Sequence, residues 1–147
     1  MYGPSPYRYP GDAVRMALRN RLTRLFSRGI EARQVRSLVD PPIVLATELG
    51  RRAENQDRVA VVRMRSALRP NQSLVAIAVS DGMGGMRDGG ACASLTLAVF
   101  FEELLRLRTL SLPDRVRRST QLANERVHAF ARGQGGATSP LMMVNGY

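Results

Sequence analysis

The stretch of sequence that decides the fold runs from Ser73 to Gly85 and reads SLVAIAVSDGMGG. Its first eight residues form an almost unbroken apolar run, which is typical of a β-strand covered on both faces. The run stops at Asp81, and glycines follow at 82, 84 and 85. A buried strand delivers the side chain at its end to a fixed position, and glycines there let backbone atoms approach a ligand closely. We therefore predict a site at this strand end, with Asp81 as a candidate ligand for a hard cation.

A second polar cluster, GRRAENQD, occupies residues 50–57 between two further predicted strands. Arg52 offers a planar guanidinium suited to a phosphate, and Asp57 offers a carboxylate suited to the waters around a metal ion. Each cluster taken alone has a plain structural interpretation. Asp81 and its glycines fit an ordinary strand-to-helix turn, and residues 50–57 fit a solvated charged loop.

The segments around these clusters alternate between strand and helix patterns. β-branched residues predict strands at 43–45 and 59–64, and Asp40-Pro41-Pro42 marks a boundary before the first of them. Apolar spacing predicts a helix over about 90–108 and a second one that ends at Gly133. Ser111 is the expected cap of the second helix, with Pro113 in its first turn. A short apolar stretch follows at 141–144.

The N-terminal residues form a separate basic extension. After a proline-rich tail, a helix is expected from Asp12, which would cap it, to Gly29, which would stop it. Between this helix and Asp40 we expect only a polar, arginine-containing connector. Such a basic amphipathic helix has three uses, namely packing on its own domain, lying on an anionic membrane, or contacting a partner or nucleic acid. Packing is the simplest of these. One helical face carries the apolar residues Val14, Leu18, Leu22, Leu25 and Phe26.

Composition excludes several classes of protein. The chain has 147 residues, 22 cationic side chains that are all arginine, 12 acidic ones and a net charge of +10. The first 36 residues contain eight of the arginines against Asp12 and Glu31, so most of the excess charge lies in the extension. The single cysteine, Cys92, excludes an internal disulfide or a thiolate cluster, and burial is its expected fate. No apolar run approaches the ~20 residues of a membrane span, and no secretory signal opens the chain, so we expect a cytoplasmic protein.

Four stretches resemble the metal-dependent protein phosphatases of the PP2C (PPM) family, in its bacterial form. They are ATELGRRAENQDRVAVV at 46–62, LVAIAVSDGMGGMRDGGACAS at 74–94, the pair Ala123-Asn124, and GGATSPLMMV at 135–144. The combination of Asn-x-Asp with Asp-Gly-x-Gly-Gly, in this order, is the specific part of the resemblance. It implies an α+β fold, the four-layer α-β-β-α sandwich of that family.

The resemblance also implies roles for single residues. Asp81 matches the aspartate that bridges two Mg²⁺ or Mn²⁺ ions, and Gly82 matches the glycine whose backbone carbonyl is also a metal ligand. Asp57 matches a carboxylate that acts through metal-bound water, and Arg52 matches the arginine that holds the substrate phosphate. The implied reaction is hydrolysis of phosphoserine and phosphothreonine in proteins by a metal-bridging water. His128, the only histidine, is expected to have a surface or packing role.

The sequence departs from the family pattern in two mild ways and in a third that bears on the expected activity. Gln56 stands where many members have Glu, and Met83 stands where eukaryotic members have His. Two further metal-binding aspartates of the family have no counterpart before Tyr147. We therefore expect residues 1–39 to be an extension and 40–147 to be the N-terminal portion of a phosphatase domain. About four strands and two helices should belong to that portion, and activity should require the remaining residues.

The alternative interpretation is a non-catalytic PP2C-like module that regulates or binds a partner. For the enzyme, the expected partners are phosphoproteins and a cognate Ser/Thr kinase system. Nucleic acid is not expected, because the basic helix has no interleaved aromatic residue except Phe26. Self-association through exposed sheet edges is expected if strands of the sandwich are missing.

Overall fold

The computed structural model describes residues 10–27, 33–38, 42–65, 73–83, 88–139 and 141–145. These residues contain three helices and five strands, so the chain has a mixed α+β fold, as the sequence predicts. In chain order the elements are α1 (Pro10–Phe26), β1 (Arg33–Leu38), β2 (Ile43–Glu48), β3 (Arg58–Arg65), β4 (Ser73–Ser80), α2 (Gly89–Arg106), α3 (Leu112–Ala131) and β5 (Leu141–Asn145).

The strand predicted from the apolar run lies at the centre of a three-stranded antiparallel sheet, β3-β4-β5. Ala78 pairs with Ala60 on one side and with Leu141 on the other. One face of this sheet packs on the helices, and Ala76 and Ala78 are fully buried there. The opposite face is only partly covered, since Ile77 is half-buried and Val79 is 43% exposed. The prediction of cover on both faces is therefore correct for one face, and for the other it holds at Ser73 and Val75 but not at Val79.

Helix α2 forms the centre of the hydrophobic core. Its apolar residues recur on every side, and it is enclosed by the sheet, by α1 and by α3. Leu97, Phe100, Phe101 and Leu104 are buried, and the rings of Phe100 and Phe101 meet edge to face at 5.3 Å between centroids. Burying a side chain of this size contributes roughly 1.5–3 kcal/mol. Cys92 is buried in this helix, as expected.

Helix α3 begins and ends at the predicted signals. The backbone N–H of Asp114 donates to Oγ of Ser111, which confirms Ser111 as the N-terminal cap. At the other end Arg132 and Gly133 adopt positive φ values of 50° and 73°, a backbone conformation that turns the chain out of the helix. The helix lies against α2, and His128 is exposed on it.

Helix α1 packs on α2, which confirms the simplest use proposed for it. Arg19 forms an ion pair with the buried Glu102 at 2.5 Å, and the rings of Phe26 and Phe101 lie 6.2 Å apart. One detail of the prediction is wrong. The helix already starts at Pro10, so Asp12 lies inside it and does not cap it. The expected stop at Gly29 lies outside the described residues.

The apolar face expected for α1 also divides in two. Leu22 and Phe26 pack against the core, whereas Val14 and Leu25 are 71% and 49% exposed. The five predicted residues span more of the helix surface than α2 can cover. Only the part that faces α2 is therefore buried.

Strand β1 corrects the prediction of a simple connector after the helix. Arg33–Leu38 forms an antiparallel hairpin with β2, in which Arg36 pairs with Leu45. The four strands expected after residue 39 are present as β2 to β5, and β1 is an additional strand within the predicted extension. The polar sequence of β1 hid it, because Val35, Arg36 and Ser37 are exposed and the alternation typical of a half-buried strand is missing. The hairpin also runs across the boundary predicted at residue 39, and that boundary stays a prediction.

A cleft of about 800 Å³ separates the hairpin from the uncovered face of the three-stranded sheet. Apolar side chains from both sides line it, including Ile43 and Leu45 from β2 and Val61, Ile77 and Val79 from the sheet. The hairpin thus borders the sheet across this cleft, and the helices pack on the other face of the sheet. None of the helices in the described part of the chain is both long and apolar enough to cross a membrane.

Candidate metal and phosphate site

The strand end that carries Asp81 is held by a segment far along the chain. Thr138 donates its backbone N–H to the carbonyl of Asp81 at 2.8 Å, and the N–H of Met83 donates to the carbonyl of Gly136 at 3.1 Å. These bonds make Gly82 and Ala137 an isolated antiparallel bridge. Neither bond uses the carbonyl of Gly82. These hydrogen bonds therefore fix the backbone conformation of the turn that follows Asp81, in addition to any effect of its glycines.

Thr138 also supplies side-chain contacts that sequence reasoning did not single out. Its Oγ1 accepts a hydrogen bond from the backbone N–H of Asp81 at 3.2 Å, and its carbonyl accepts one from Oγ of Ser80 at 2.8 Å. The only sequence signal for this role is the Gly-Gly-Ala-Thr stretch at 135–138, because small residues let two backbones lie close together.

The Asn-x-Asp spacing has a direct structural cause. Asn55 donates its Nδ2 to Oγ1 of Thr47 at 2.8 Å, and its Oδ1 accepts the backbone N–H of Asp57 at 3.1 Å. An asparagine that accepts from the residue two positions on stabilises a local turn. This turn ends at Asp57, immediately before β3 begins. The amide of Asn55 therefore fixes the backbone that carries the Asp57 carboxylate and fastens it to β2.

The side chains of Asp57 and Asp81 meet, although 24 residues separate them in the sequence. Partial burial raises the pKa of Asp57, a hydrogen bond to the side chain of Asp81 and the negative charge of Asp81 raise it further, and the charge of Arg58 opposes these effects. Two negative charges placed this close together disfavour the state in which both carboxyl groups are ionised. This contact is the electrostatic centre of the site.

The backbone beneath the two carboxyl groups, at Gly82 and Gly89, forms the floor of the site and leaves no space for a side chain at either position. A Cβ on Gly82 would collide with the backbone carbonyl of Gly89, and a Cβ on Gly89 would lie 2.5 Å from Oε1 of Gln56. Oε1 of Gln56 is itself buried and accepts no hydrogen bond from the described residues. The glycines therefore let the first turn of α2 approach the strand end.

A pocket of about 550 Å³ opens above this floor. Arg52, Asp57, Asp81, Gly82 and Met83 line it, so all four predicted site residues border one space. Arg52 is exposed and Asp57 and Asp81 are also accessible to solvent, as binding of an anionic substrate requires. Glu48, Glu54, Asn55 and Gln56 supply further polar lining.

The donor set fits a hard divalent cation in part. Two carboxylates in contact and a nearby glycine carbonyl are oxygen ligands of the kind that Mg²⁺ and Mn²⁺ prefer. The orphaned Oε1 of Gln56 adds an oxygen without a partner close to them. No group of three or more His, Cys, Asp or Glu side chains suited to a metal ion occurs within the described ranges. The residues present therefore fit a cation whose remaining ligands are water molecules or residues outside the described ranges.

Comparisons of this chain with models of protein families, with curated proteins and with solved structures gave no match.

Proposed function

We propose that this chain supplies the N-terminal part of a PP2C-like domain and acts in metal-dependent hydrolysis of phosphoserine and phosphothreonine in proteins. The observation that carries the proposal is the contact between Asp57 and Asp81 at the floor of a pocket that Arg52 also lines. Two loops distant in sequence, which the sequence predicts to carry chemistry in combination, line this pocket together. A pair of solvated surface loops has no reason to bring two carboxyl groups together against their repulsion.

The chain's residues divide the work between cation and substrate. Asp81, Asp57 and the carbonyl of Gly82 would hold Mg²⁺ or Mn²⁺, and Arg52 would bind the phosphate of the substrate through its guanidinium. When bound, the metal supplies an activated water and offsets the negative charge of the phosphate. Residues that hold Asp57 and Asp81 in place, among them Asn55 and Thr138, keep the ligands from separating under mutual repulsion.

The arrangement of layers supports the α-β-β-α sandwich as the finer fold. The helices α2 and α3 lie outside the sheet β3-β4-β5, and the hairpin β1-β2 lies across the cleft from its other face. This order gives the first helical layer, one sheet and part of a second sheet. The second helical layer and the rest of the second sheet would come from residues that continue the domain.

Because activity is expected to require the rest of the domain, the experiment uses this chain extended by the downstream residues of that domain. It measures Mn²⁺ binding by calorimetry and Mn²⁺-dependent hydrolysis of para-nitrophenyl phosphate and of a phosphothreonine peptide. We expect Asp81→Asn to weaken Mn²⁺ binding and to lower hydrolysis by about 100-fold or more, since charge stabilisation of this kind is worth several kcal/mol. Arg52→Gln should raise KM for both substrates and leave Mn²⁺ binding unchanged. Arg51→Gln is the matched control, because Arg51 is exposed next to Arg52 but does not line the pocket. Equal binding and hydrolysis in the wild type and Asp81→Asn would overturn the proposal.

The apolar cleft between the sheets favours a second candidate, a non-catalytic module that binds a partner. The cleft is larger than the pocket above Asp57 and Asp81, and mostly apolar side chains line it. A folded chain that binds no Mn²⁺ at millimolar concentration would favour this second function over the first.

A further inference from the structure

Arg58 is the first residue of β3 and directly follows Asp57, and the site described above gives it no function. Its half-buried side chain points back toward the loop. Nη1 donates one hydrogen bond to the carbonyl of Asn55 and one to the carbonyl of Asp57, both at 2.8 Å. Nε donates a third bond, to Oγ of Ser94 in α2, at 3.1 Å. One guanidinium thus holds both ends of the segment that carries the Asp57 carboxylate.

The contact with Ser94 connects this loop to the helical layer. Ser94 is completely buried, and its Oγ lies 2.8 Å from the carbonyl of Gly90 and 3.4 Å from the carbonyl of Phe26. A hydroxyl donates one proton at a time, so the shorter contact with Gly90 is the main one. Phe26 is the last residue of α1. The loop is therefore fastened, through Arg58 and Ser94, to the first turn of α2 and the end of α1.

Gly90 leaves the space that the guanidinium occupies. A Cβ at this position would lie 3.0 Å from Nη2 of Arg58 and 3.3 Å from Oε1 of Glu54. Partial burial lowers the pKa of Arg58, and the negative charges of Glu54 and Asp57 oppose this effect. The surroundings therefore match a planar cation with several donors, and a lysine ammonium would not reach all the acceptors.

We propose that Arg58 is a positioning residue, which holds the Asn55–Asp57 segment in the conformation that places the Asp57 carboxylate against Asp81. The effect on metal binding rests on the proposed function, whereas the effect on loop order does not. Without the guanidinium, the carbonyls of Asn55 and Asp57 lose their shared donor, and the two carboxyl groups are free to move apart.

The first test measures amide hydrogen exchange by NMR in the full chain, for the wild type and for Arg58→Gln, Arg58→Lys and Arg65→Gln. In Arg58→Gln we expect exchange at residues 54–57 to become about tenfold faster or more, because hydrogen bonds from a charged donor are lost. Exchange at residues 97–101 in the core of α2 should stay the same. In Arg58→Lys, exchange at residues 54–57 should be faster than in the wild type and slower than in Arg58→Gln. Arg65→Gln, an exposed arginine at the far end of the same strand, should match the wild type.

The comparison between loop and core separates positioning from general stabilisation. If Arg58 only stabilises the fold, exchange will rise equally at residues 54–57 and 97–101, and that result overturns the proposal. Unchanged exchange at the loop overturns it as well. If Arg58→Gln does not fold, Ser94→Ala replaces it, since this variant removes one of the three acceptors. It should accelerate loop exchange by about threefold, as expected for one modest hydrogen bond.

The second test measures the Mn²⁺ affinity of the same variants, with methylguanidinium added to Arg58→Gly. We expect Arg58→Gln to weaken Mn²⁺ binding about tenfold or more. In Arg58→Gly, methylguanidinium should restore part of the lost Mn²⁺ affinity, whereas methylammonium at the same concentration should not. Normal Mn²⁺ affinity in Arg58→Gln would overturn the positioning function and leave the proposed function intact. Absence of Mn²⁺ binding in the wild type would overturn the proposed function. The hydrogen-exchange experiment would then still decide whether Arg58 orders residues 54–57.

Discussion

Asp57 sits where its own negative charge is disfavoured. Burial, a hydrogen bond to Asp81 and the charge of Asp81 all raise its pKa. A group whose pKa is raised on folding binds a proton more tightly in the folded state, so it lowers the free energy of unfolding at neutral pH relative to acid pH. The electrostatic repulsion in the site therefore acts on the Asp57 carboxylate, and a bound cation would offset it.

The first prediction concerns the stability of Asp57→Asn without metal. The variant should be more stable than the wild type at pH 7, by at most about 1 kcal/mol because the group is exposed and screened. The gain should vanish below the ordinary aspartate pKa of 3.8, where the carboxyl group is protonated in both states. Urea unfolding at the two pH values measures it. Glu125→Gln, an exposed carboxylate on α3, should change little at either pH, and a loss of stability in Asp57→Asn at pH 7 would contradict the prediction.

The second prediction concerns the cap of α3. Ser111→Ala removes the Oγ that accepts the N–H of Asp114, and it should lower the free energy of unfolding by about 1 kcal/mol. The hydrogen bond from Ser111 and the nearby Arg117 lower the pKa of Asp114, so the Asp114 carboxylate stabilises the fold above the ordinary pKa and loses this effect as pH falls. The difference between Ser111→Ala and wild type should therefore shrink in acid. Thr120→Ala, exposed in the middle of the same helix, should not reproduce the loss.

At the scale of elements, the described contacts that hold α1 against the rest of the domain include an ion pair and apolar side chains. Arg19 reaches the buried Glu102, and Leu22 and Phe26 pack beside it. The remaining exposed arginines of the helix contribute charge but little contact. The N-terminal helix is therefore part of the hydrophobic core on one side only.

The third prediction follows from this division of the helix. Arg19→Ala should lower the free energy of unfolding by about 2 kcal/mol, because Glu102 stays buried and loses a charged partner. Arg21→Ala, an exposed arginine two residues further on, should cost less than about 0.5 kcal/mol. Urea unfolding of both variants provides the measurement. Adding Glu102→Gln to Arg19→Ala should recover part of the loss, and equal effects of Arg19→Ala and Arg21→Ala would refute the ion pair.

The elements also show why the sequence predicts strand β4 but not strand β1. The strand Ser73–Ser80 lies in the middle of its sheet, so burial selected the apolar run by which it is recognised. In β1, Val35, Arg36 and Ser37 are all exposed, so nothing selected an alternating pattern. Its partner β2 holds it through backbone hydrogen bonds, which leave no mark on side-chain identity. Propensity and periodicity therefore predict central strands better than edges.

At the scale of the whole molecule, the sheet face away from the helices leaves apolar side chains exposed. Val79, Met142 and Val144 are 43%, 59% and 37% exposed on it. Within the described residues β5 pairs with β4 alone, so its other edge has no partner strand. Exposed edges without charged side chains favour association.

The fourth prediction is therefore concentration-dependent self-association of the isolated chain. Sedimentation velocity over a range of micromolar concentrations should show species larger than the monomer. Met142→Lys should shift the distribution toward monomer, because a charge on an edge strand opposes pairing. Leu110→Lys, an equally large apolar residue exposed between α2 and α3, should leave the distribution unchanged. A monomer at all concentrations would show that the edge and face do not drive association.

The sequence alone determined the local elements and the chemical character of the two polar clusters. The run SLVAIAVS, the cap at Ser111 and the glycines after Asp81 each act over a few residues, so local sequence was sufficient to predict them. Tertiary structure decided which groups meet. Three contacts join residues that lie 24 to 58 positions apart: Asp57 with Asp81, Thr138 with the strand end at Ser80 and Asp81, and Arg58 with Ser94. Such contacts follow from how α2 and the strands pack, and no local pattern encodes them.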